Sequence, residues 1–254
     1  MNSYDLDGIQ ILSSDLTELR GYLLNSLVNS GKSKQIITFN LEFYRNALLN
    51  KDFYSICRNA DLVIPDGFSI IHLLKLKYNK RLTRITGNDL FDLILSICNE
   101  VPQKVAFVGS KRIVIEKLKN KVRNDFPGCK IVAAISPPYF FENNEEENKK
   151  VLQELVNSKP DILFLALGNP RQELWLNKYK EQIGSKLNVG VGAVFDFYTG
   201  YKRRSPKLFQ KLALEWAWRL LQEPRRLSKR YLIQGIPFYI KKSVQIILKN
   251  DSRP

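Results

Sequence analysis

Six short apolar segments, separated by longer amphipathic ones, place the strongest constraint on how this chain folds. Segments rich in Val, Ile, Leu and Phe and bounded by turn residues are typical of buried strands. They lie at 35–39, 61–64, 104–109, 130–135, 161–167 and 187–193. The amphipathic segments predict helices at 15–29, 41–58, 68–76, 88–100, 110–125, 145–157 and 171–183. Because strands that are apolar along their whole length are covered on both faces, we predict an α/β fold with a mostly parallel sheet between helices.

Length and cysteine content narrow the class of protein further. A chain of 254 residues fits one large domain, or one domain with an appendage. The three cysteines, Cys57, Cys98 and Cys129, form no CxxC pair, which favours a reducing compartment. The single histidine, His72, excludes sites that need two His ligands. The N-terminus does not resemble a secretory signal, and no 18 apolar residues occur in a row, so we expect a cytoplasmic location.

Positive charge is concentrated toward the C-terminus. Residues 202–254 carry 14 of the 40 Lys and Arg residues but only three of the 25 acids, whereas residues 1–201 are close to neutral. We therefore divide the chain into a body of residues 1–201 and a basic helical appendage of residues 202–254. Such an appendage is typical of contact with nucleic acid, phospholipid or pyrophosphate, although a solvated basic helix face has the same composition.

The residues that follow the predicted strands are the candidates for ligand binding, because parallel sheets bind ligands at the carboxyl ends of their strands. Several of these loops combine glycine with a small polar residue, which lets backbone N–H groups approach a phosphate. Neither the GxGxxG pattern nor the P-loop pattern occurs. A dinucleotide cofactor is therefore disfavoured.

Asp66 lies in the tripeptide Pro65-Asp66-Gly67, directly after the second predicted strand. A partly desolvated carboxylate at this position is suited to accept a proton from a sugar hydroxyl as a general base. The same tripeptide is also a common strand-to-helix turn, in which Asp66 would only cap the next helix. Judged from the residues alone, the capping role is favoured.

Two further loops carry polar side chains at predicted helix starts. In residues 168–173, Gln172 is placed to bond a sugar or a uracil edge, and Glu173 is either a ligand contact or a residue that compensates the helix dipole. In residues 84–90, Asp89 is either a helix cap or a ligand contact.

Taken in order, these loops and the basic appendage resemble the WecG/TagA/CpsF family of bacterial glycosyltransferases. The resemblance runs from about Gly8 to Tyr231, and its eight motifs are weak singly but specific as an ordered set. Two departures occur: Ser205 stands where alanine is common, and Ala217-Trp218 replaces a usual Leu-Tyr pair. The motifs are Thr38-x-Asn40, Pro65-Asp66-Gly67, Arg84-x-Thr86-Gly87-x-Asp89-Leu90, Gly168-x-Pro170-x-Gln172-Glu173, Gly190-x-Gly192-Ala193-x-Phe195-Asp196, Gly200-x-x-x-Arg204-x-Pro206, Glu215-Trp216-x-x-Arg219-Leu220 and Pro224-x-Arg226.

The resemblance implies a Rossmann-like fold and an inverting, metal-independent glycosyl transfer in cell-surface polysaccharide synthesis. The donor would be a UDP-sugar carrying N-acetylmannosamine or a neutral hexose such as glucose, and the acceptor a polyprenyl-diphosphate-linked saccharide. Asp66 matches the catalytic base, and no metal or other cofactor is expected. The candidate substrate-binding residues are Thr38, Asn40, Arg84, Asp89, Gln172, Glu173, Arg204, Arg219 and Arg226.

The resemblance also implies a role for the basic appendage, which would close over the site on the inner face of the cell membrane. Its basic residues alternate with large apolar ones, a composition suited to an anionic membrane surface. Nucleic acid is not expected as a partner, and a homo-oligomer is left open. Two alternatives remain: a nucleic-acid-binding protein, in keeping with a pI of about 9.7, and a non-catalytic scaffold in a polysaccharide-assembly complex.

Overall fold

A six-stranded parallel sheet lies at the centre of the structure, a computed structural model that describes residues 1–29, 31–80, 82–206, 208–209, 212 and 214–251. Its strands are β3 (Lys34–Phe39), β4 (Leu62–Pro65), β5 (Gln103–Gly109), β6 (Cys129–Ile135), β7 (Ile162–Ala166) and β8 (Leu187–Gly190). The strand order is β4-β3-β8-β7-β5-β6, and every neighbouring pair is parallel. The predicted Rossmann-like sheet is thus confirmed.

Helices cover both faces of this sheet, as predicted. The helices of the body are α1 (Leu16–Val28), α2 (Leu41–Leu49), α3 (Lys51–Asn59), α4 (Phe68–Tyr78), α5 (Gly87–Cys98), α6 (Arg112–Asp125), α7 (Glu145–Ser158), α8 (Arg171–Ile183) and α9 (Val194–Tyr198). One face of the sheet packs on α1, α5, α6 and α9 around Phe91 and Phe107, and the other packs on α7 and α8 around Leu155 and Leu176. A third apolar cluster joins α2, α3 and α4 to the β4 edge.

An N-terminal hairpin was missing from the sequence prediction. Strands β1 (Asn2–Leu6) and β2 (Ile9–Ser13) pair antiparallel. Asp7 and Gly8 connect them with φ angles of 52° and 85°, the left-handed backbone that an Asp-Gly hairpin turn adopts. That dipeptide was the available sequence signal.

The single helix predicted for residues 41–58 was wrong, because two helices occupy this segment. The break falls at Asn50, whose backbone is extended and whose side-chain oxygen accepts a hydrogen bond of 2.9 Å from the N–H of Phe53. Asn50 thereby caps α3, and a capping side chain is a better use of asparagine than a helix interior.

The basic appendage is helical and returns to the hairpin side of the body. Its last helix packs on α4, where the Tyr239 hydroxyl lies 2.7 Å from His72 Nδ1. Lys242 Nζ donates to Asp7 Oδ2 over 2.6 Å, which ties the same helix to the hairpin turn. The helices of the appendage that the structure describes are α10 (Glu215–Gln222), α11 (Pro224–Ser228), a π-helical segment (Lys229–Gly235) and α12 (Ile236–Asp251). Among the helices described, none is both long and apolar enough to cross a bilayer.

Candidate functional site

The loops after β3 and β4 place Asn40 and Asp66 side by side at the carboxyl edge of the sheet. The N–H of Asp66 donates to the carbonyl of Phe39 over 2.9 Å. A Cβ atom added to Gly67 would lie 3.3 Å from the Asn40 Cβ, so the two loops are in contact. Asn40 is held in place because its side-chain oxygen caps α2, accepting from the N–H groups of Glu42 and Phe43.

The carboxylate of Asp66 does not cap a helix. Helix α4 begins at Phe68, and Gly67, which has no side chain to cap it, occupies the capping position. The capping role favoured by the sequence was therefore wrong. Burial raises the pKa of Asp66 to about 6, with smaller raising contributions from Glu215 and Asp89 and lowering ones from Arg219 and Arg84. At neutral pH the group is mostly ionised and has a pKa suited to a general base.

Arg84 is held beside Asp66 by a residue from the appendage. Its guanidinium forms an ion pair with Glu215, and it lies 4.3 Å from the ring centre of Phe68. The Ser205 hydroxyl donates to the other oxygen of Glu215 over 3.3 Å. Sequence reasoning did not assign Glu215 to the site. The sequence feature that could have indicated Glu215 is that it is one of only three acids in residues 202–254.

Asp89 completes a capping box at the start of α5. Its Oδ2 atom accepts from the backbone N–H and the hydroxyl of Thr86 over 2.9 and 2.7 Å, and the Thr86 hydroxyl accepts from the Asp89 N–H. Of the two roles predicted for Asp89, helix cap and ligand contact, these hydrogen bonds agree with the helix cap. Arg204 Nη2 lies 3.5 Å from the Thr86 hydroxyl, and Arg204 Nε is buried without a hydrogen-bond partner among the described residues. An unpaired buried donor here is available to an acceptor.

Thr38 lies in the floor of the site rather than at its surface. It is buried near the end of β3, and its hydroxyl would lie 3.9 Å from a Cβ added to Gly87 at the start of α5. Thr38 thus lies between the β3 loop and the helix that carries Asp89.

Arg219 and Arg226 extend the positive charge along the appendage. Arg219 lies 5.0 Å from the ring centre of Phe197 and is close enough to Asp66 to lower its pKa. Arg226 is exposed and pairs with Glu223. Both arginines line a small cavity of about 30 Å³. The whole lining is Ala193, Phe197, Lys202, Arg219, Gln222, Glu223, Arg226 and Leu227.

Gln172 and Glu173 lie beneath the site, with exposures of only 2% and 1%. The Gln172 side-chain oxygen accepts from the N–H groups of Gly168 and Gly192, both over 3.0 Å, and so joins the loops after β7 and β8. Its amide nitrogen donates to Glu173 Oε1 over 2.6 Å. The structure therefore gives both predicted substrate-binding side chains partners within the protein.

Gly190 has no room for a side chain, so we predict that adding one destabilises the protein. A Cβ there would lie 2.5 Å from Gln172 Nε2 and 2.6 Å from Glu173 Oε1, two atoms that are fixed by their mutual hydrogen bond. We expect Gly190→Ala to lower the free energy of unfolding by about 1–3 kcal/mol, as overpacking of a core does. Urea unfolding measures this, with Gly21→Ala in α1 as the control because nothing lies within 4 Å of its Cβ. An unfolding midpoint unchanged by Gly190→Ala would contradict this prediction.

These residues form a site in which the partly buried carboxylate of Asp66 lies among several arginines. Asp66, Arg84 and Arg219 are electrostatic neighbours, and Arg204 lies over the adjoining helix start. In the part of the chain that the structure describes, no group of three or more His, Cys, Asp or Glu side chains is placed to hold a metal ion. The arrangement can take up a proton next to a developing negative charge, which arginines stabilise.

Comparison with known proteins supplies the family. The chain is 30% identical over 240 residues to the N-acetylglucosaminyldiphosphoundecaprenol N-acetyl-beta-D-mannosaminyltransferase of Bacillus spizizenii, covering 94% of this chain and 90% of that protein. The protein of the same name from Bacillus subtilis is 28% identical over 239 residues, with the same coverage. The sequence model of the glycosyl transferase WecG/TagA/CpsF family matches residues 4–252. The chain therefore belongs to the WecG/TagA/CpsF family of glycosyl transferases.

Proposed function

We propose that the protein transfers N-acetylmannosamine, or a neutral hexose such as glucose, from a UDP-sugar to a polyprenyl-diphosphate-linked saccharide. The observation that carries the proposal is the Asp66 carboxylate, which lies at the carboxyl end of β4 beside Arg84 and Arg219 with a pKa of about 6. The names of the two Bacillus relatives favour N-acetylmannosamine as the sugar and an N-acetylglucosaminyl diphosphoundecaprenol as the acceptor.

The proposed chemistry assigns the proton to Asp66. As the acceptor hydroxyl oxygen bonds to the anomeric carbon, its proton passes to the Asp66 carboxylate. The bond from that carbon to the UDP oxygen breaks on the opposite face, and its electron pair remains on the diphosphate. Attack from the opposite face inverts the anomeric centre. Arg84, Arg204 and Arg219 would stabilise the charge that develops on the diphosphate.

We further propose that this reaction needs no metal ion. The arginines of the site supply positive charge where a bound cation would otherwise be required to neutralise the diphosphate. Arg204 supports this assignment because its buried Nε lacks a partner among the described residues. Activity that persists in EDTA tests it.

We propose that the appendage, residues 202–254, holds the enzyme on the inner face of the cell membrane. Seven apolar side chains along the π-helical segment and α12 are exposed and recur at helical spacing. We call them the apolar ridge. Exposed Lys229 and Lys241 flank it and would meet anionic headgroups. An apolar ridge with basic flanks suits lipid better than nucleic acid. The ridge consists of Leu232, Ile233, Ile236, Ile240, Val244, Ile247 and Leu248.

A donor panel tests the proposed function. The purified protein is incubated in EDTA with a short-chain polyprenyl-diphosphate-GlcNAc acceptor and, in separate reactions, UDP-ManNAc, UDP-GlcNAc, UDP-Glc, UDP-Gal and UDP-GlcA. Mass spectrometry of the lipid product is expected to show transfer from UDP-ManNAc or UDP-Glc. No transfer from any donor, with UDP still bound in calorimetry, would contradict the proposal and favour the scaffold alternative.

A further inference from the structure

Glu173 lies at the centre of a buried hydrogen-bond network that joins four parts of the site. Its Oε1 accepts from Gln172 Nε2 over 2.6 Å, and its Oε2 accepts from Asn169 Nδ2 over 3.2 Å. Its backbone carbonyl accepts from Gln35 Nε2 on β3 over 3.1 Å. Through Gln172 the network reaches the β8 loop, and through Asn169 it reaches Asn46 on α2, whose Nδ2 donates to Asn169 Oδ1 over 2.6 Å.

An ionised carboxylate fixes the direction of both neighbouring carboxamides. It can only accept hydrogen bonds, so Gln172 and Asn169 must both present their NH₂ groups to it. Their oxygens then point the other way, toward the loop N–H groups in the case of Gln172 and toward Asn46 in the case of Asn169. Helix α2, which carries Asn46, begins beside Asn40 in the site.

The geometry points to Glu173 as a positioning residue, whose ionised carboxylate ties the loop after β7 to the loop after β8 and to α2. The catalytic consequence rests on the proposed function, whereas the hydrogen-bond arrangement can be tested without it. In this assignment Glu173 contacts no substrate. It acts through Gln172 and Asn169.

Protonation of Glu173 would make the side-chain carboxamide of Asn169, rather than that of Gln172, exchange the positions of its oxygen and nitrogen. A protonated carboxyl has one donor oxygen, so one neighbouring carboxamide must present its oxygen instead. The Gln172 oxygen is held by two backbone N–H groups, whereas the Asn169 oxygen has one donor among the described residues, Asn46. Turning Asn169 sets its NH₂ against the NH₂ of Asn46. Asn46 does not turn with it, because its Oδ1 accepts from Arg45 Nη1 over 3.3 Å, so the hydrogen bond to α2 breaks.

This change falls near neutral pH. Burial raises the pKa of Glu173 to about 7, against the lowering effect of its hydrogen bonds, and no Lys or Arg that the structure describes contributes to this shift. Among the described residues, the titratable group that faces it is Cys57 on α3, whose own pKa is raised by burial and by Glu173, so that the thiol stays neutral. The hydrogen-bond arrangement that needs an ionised Glu173 is therefore lost as the pH falls through about 7.

Three variants separate this role from mere filling of space. Glu173→Gln imitates the protonated form, and Asn169→Asp places two carboxylates face to face. The double variant exchanges the two groups: Gln at 173 donates to Asp at 169 and still accepts from Gln172, while Asp at 169 still accepts from Asn46. Glu154→Gln on the exposed surface of α7 is the matched control for the chemical change.

The measurements are kcat/KM from pH 5.5 to 8.5 and the side-chain NH₂ resonances of Asn169 and Asn46. We expect each single variant to lose about tenfold in kcat/KM at pH 8, a magnitude typical of a broken buried network, and the double variant to recover to within threefold of the parent. The parent resonances should titrate near pH 7 and cease to do so in Glu173→Gln. Parent resonances that do not titrate, or a double variant as impaired as the singles, would overturn the inference. A parent that transfers no sugar but shows the titration would contradict only the proposed function.

Discussion

Replacing Asp66 with Asn is expected to lower kcat by about a hundredfold or more, the typical effect of losing a general base, while UDP binds within threefold of the parent affinity. The carboxamide keeps the size of the carboxylate and its place at the end of β4, but it cannot take the proton of the acceptor hydroxyl. The arginines proposed to hold the diphosphate are unchanged. Steady-state kinetics on the lipid-linked acceptor and calorimetry with UDP measure the two quantities.

Asp52→Asn is the matched control for this variant. Asp52 is an exposed carboxylate in the first turn of α3 and lies outside the proposed site. It should leave both kcat and UDP affinity within threefold of the parent. A kcat for Asp66→Asn that is likewise within threefold of the parent would remove Asp66 from the role of base.

A triple variant of the apolar ridge, Ile233→Ser, Ile240→Ser and Ile247→Ser, is expected to weaken binding to anionic vesicles at least tenfold. These side chains are 69%, 55% and 45% exposed in the protein, so the exposed part of each is free to be buried by lipid. Burying one such side chain is worth about 1.5–3 kcal/mol, and three of them exceed the ~1.4 kcal/mol of a tenfold change. Co-sedimentation with phosphatidylglycerol–phosphatidylethanolamine vesicles measures the loss.

The control for the apolar-ridge variant removes a similar apolar surface from the body. Val28, Leu49 and Ile113 are 57%, 70% and 55% exposed outside the appendage, and replacing them with Ser should leave vesicle binding unchanged. The ridge variant should also keep its fold, because the appendage packs on the body through other residues, Phe238, Tyr239 and Ile246. Vesicle binding by the ridge variant equal to that of the parent would contradict the proposed membrane surface.

The sheet was predictable from the sequence because each of its strands is apolar along its length and ends at a turn residue. Five of the six predicted strands agree with the structure to within one residue at each end. The sixth ends at Gly190, three residues earlier than predicted, where the chain turns under Gln172. The hairpin was missed because the alternation in β1 and β2 is short, although Asp7-Gly8 marks its turn.

The loops of the site were predictable, but the environment of each side chain was not. The ion pair of Arg84 and Glu215 joins residues 131 positions apart, and no local sequence pattern predicts such a contact. Glu173 occupies a position in the first turn of a helix that is usually solvated, yet packing of α8 against β3 and the β8 loop buries it. Burial by distant segments decides the pKa values of Asp66 and Glu173, and only the assembled fold supplies it.

The anomeric configuration of the transferred sugar tests the central claim most directly. The parent protein is incubated with the donor that it uses and a lipid-linked GlcNAc acceptor, and the one-bond carbon–proton coupling at the new anomeric centre is read by NMR. Displacement of UDP by a hydroxyl that Asp66 deprotonates predicts a β-linked product from the α-linked UDP-sugar. An α-linked product, or a parent protein that forms no product, would contradict this account.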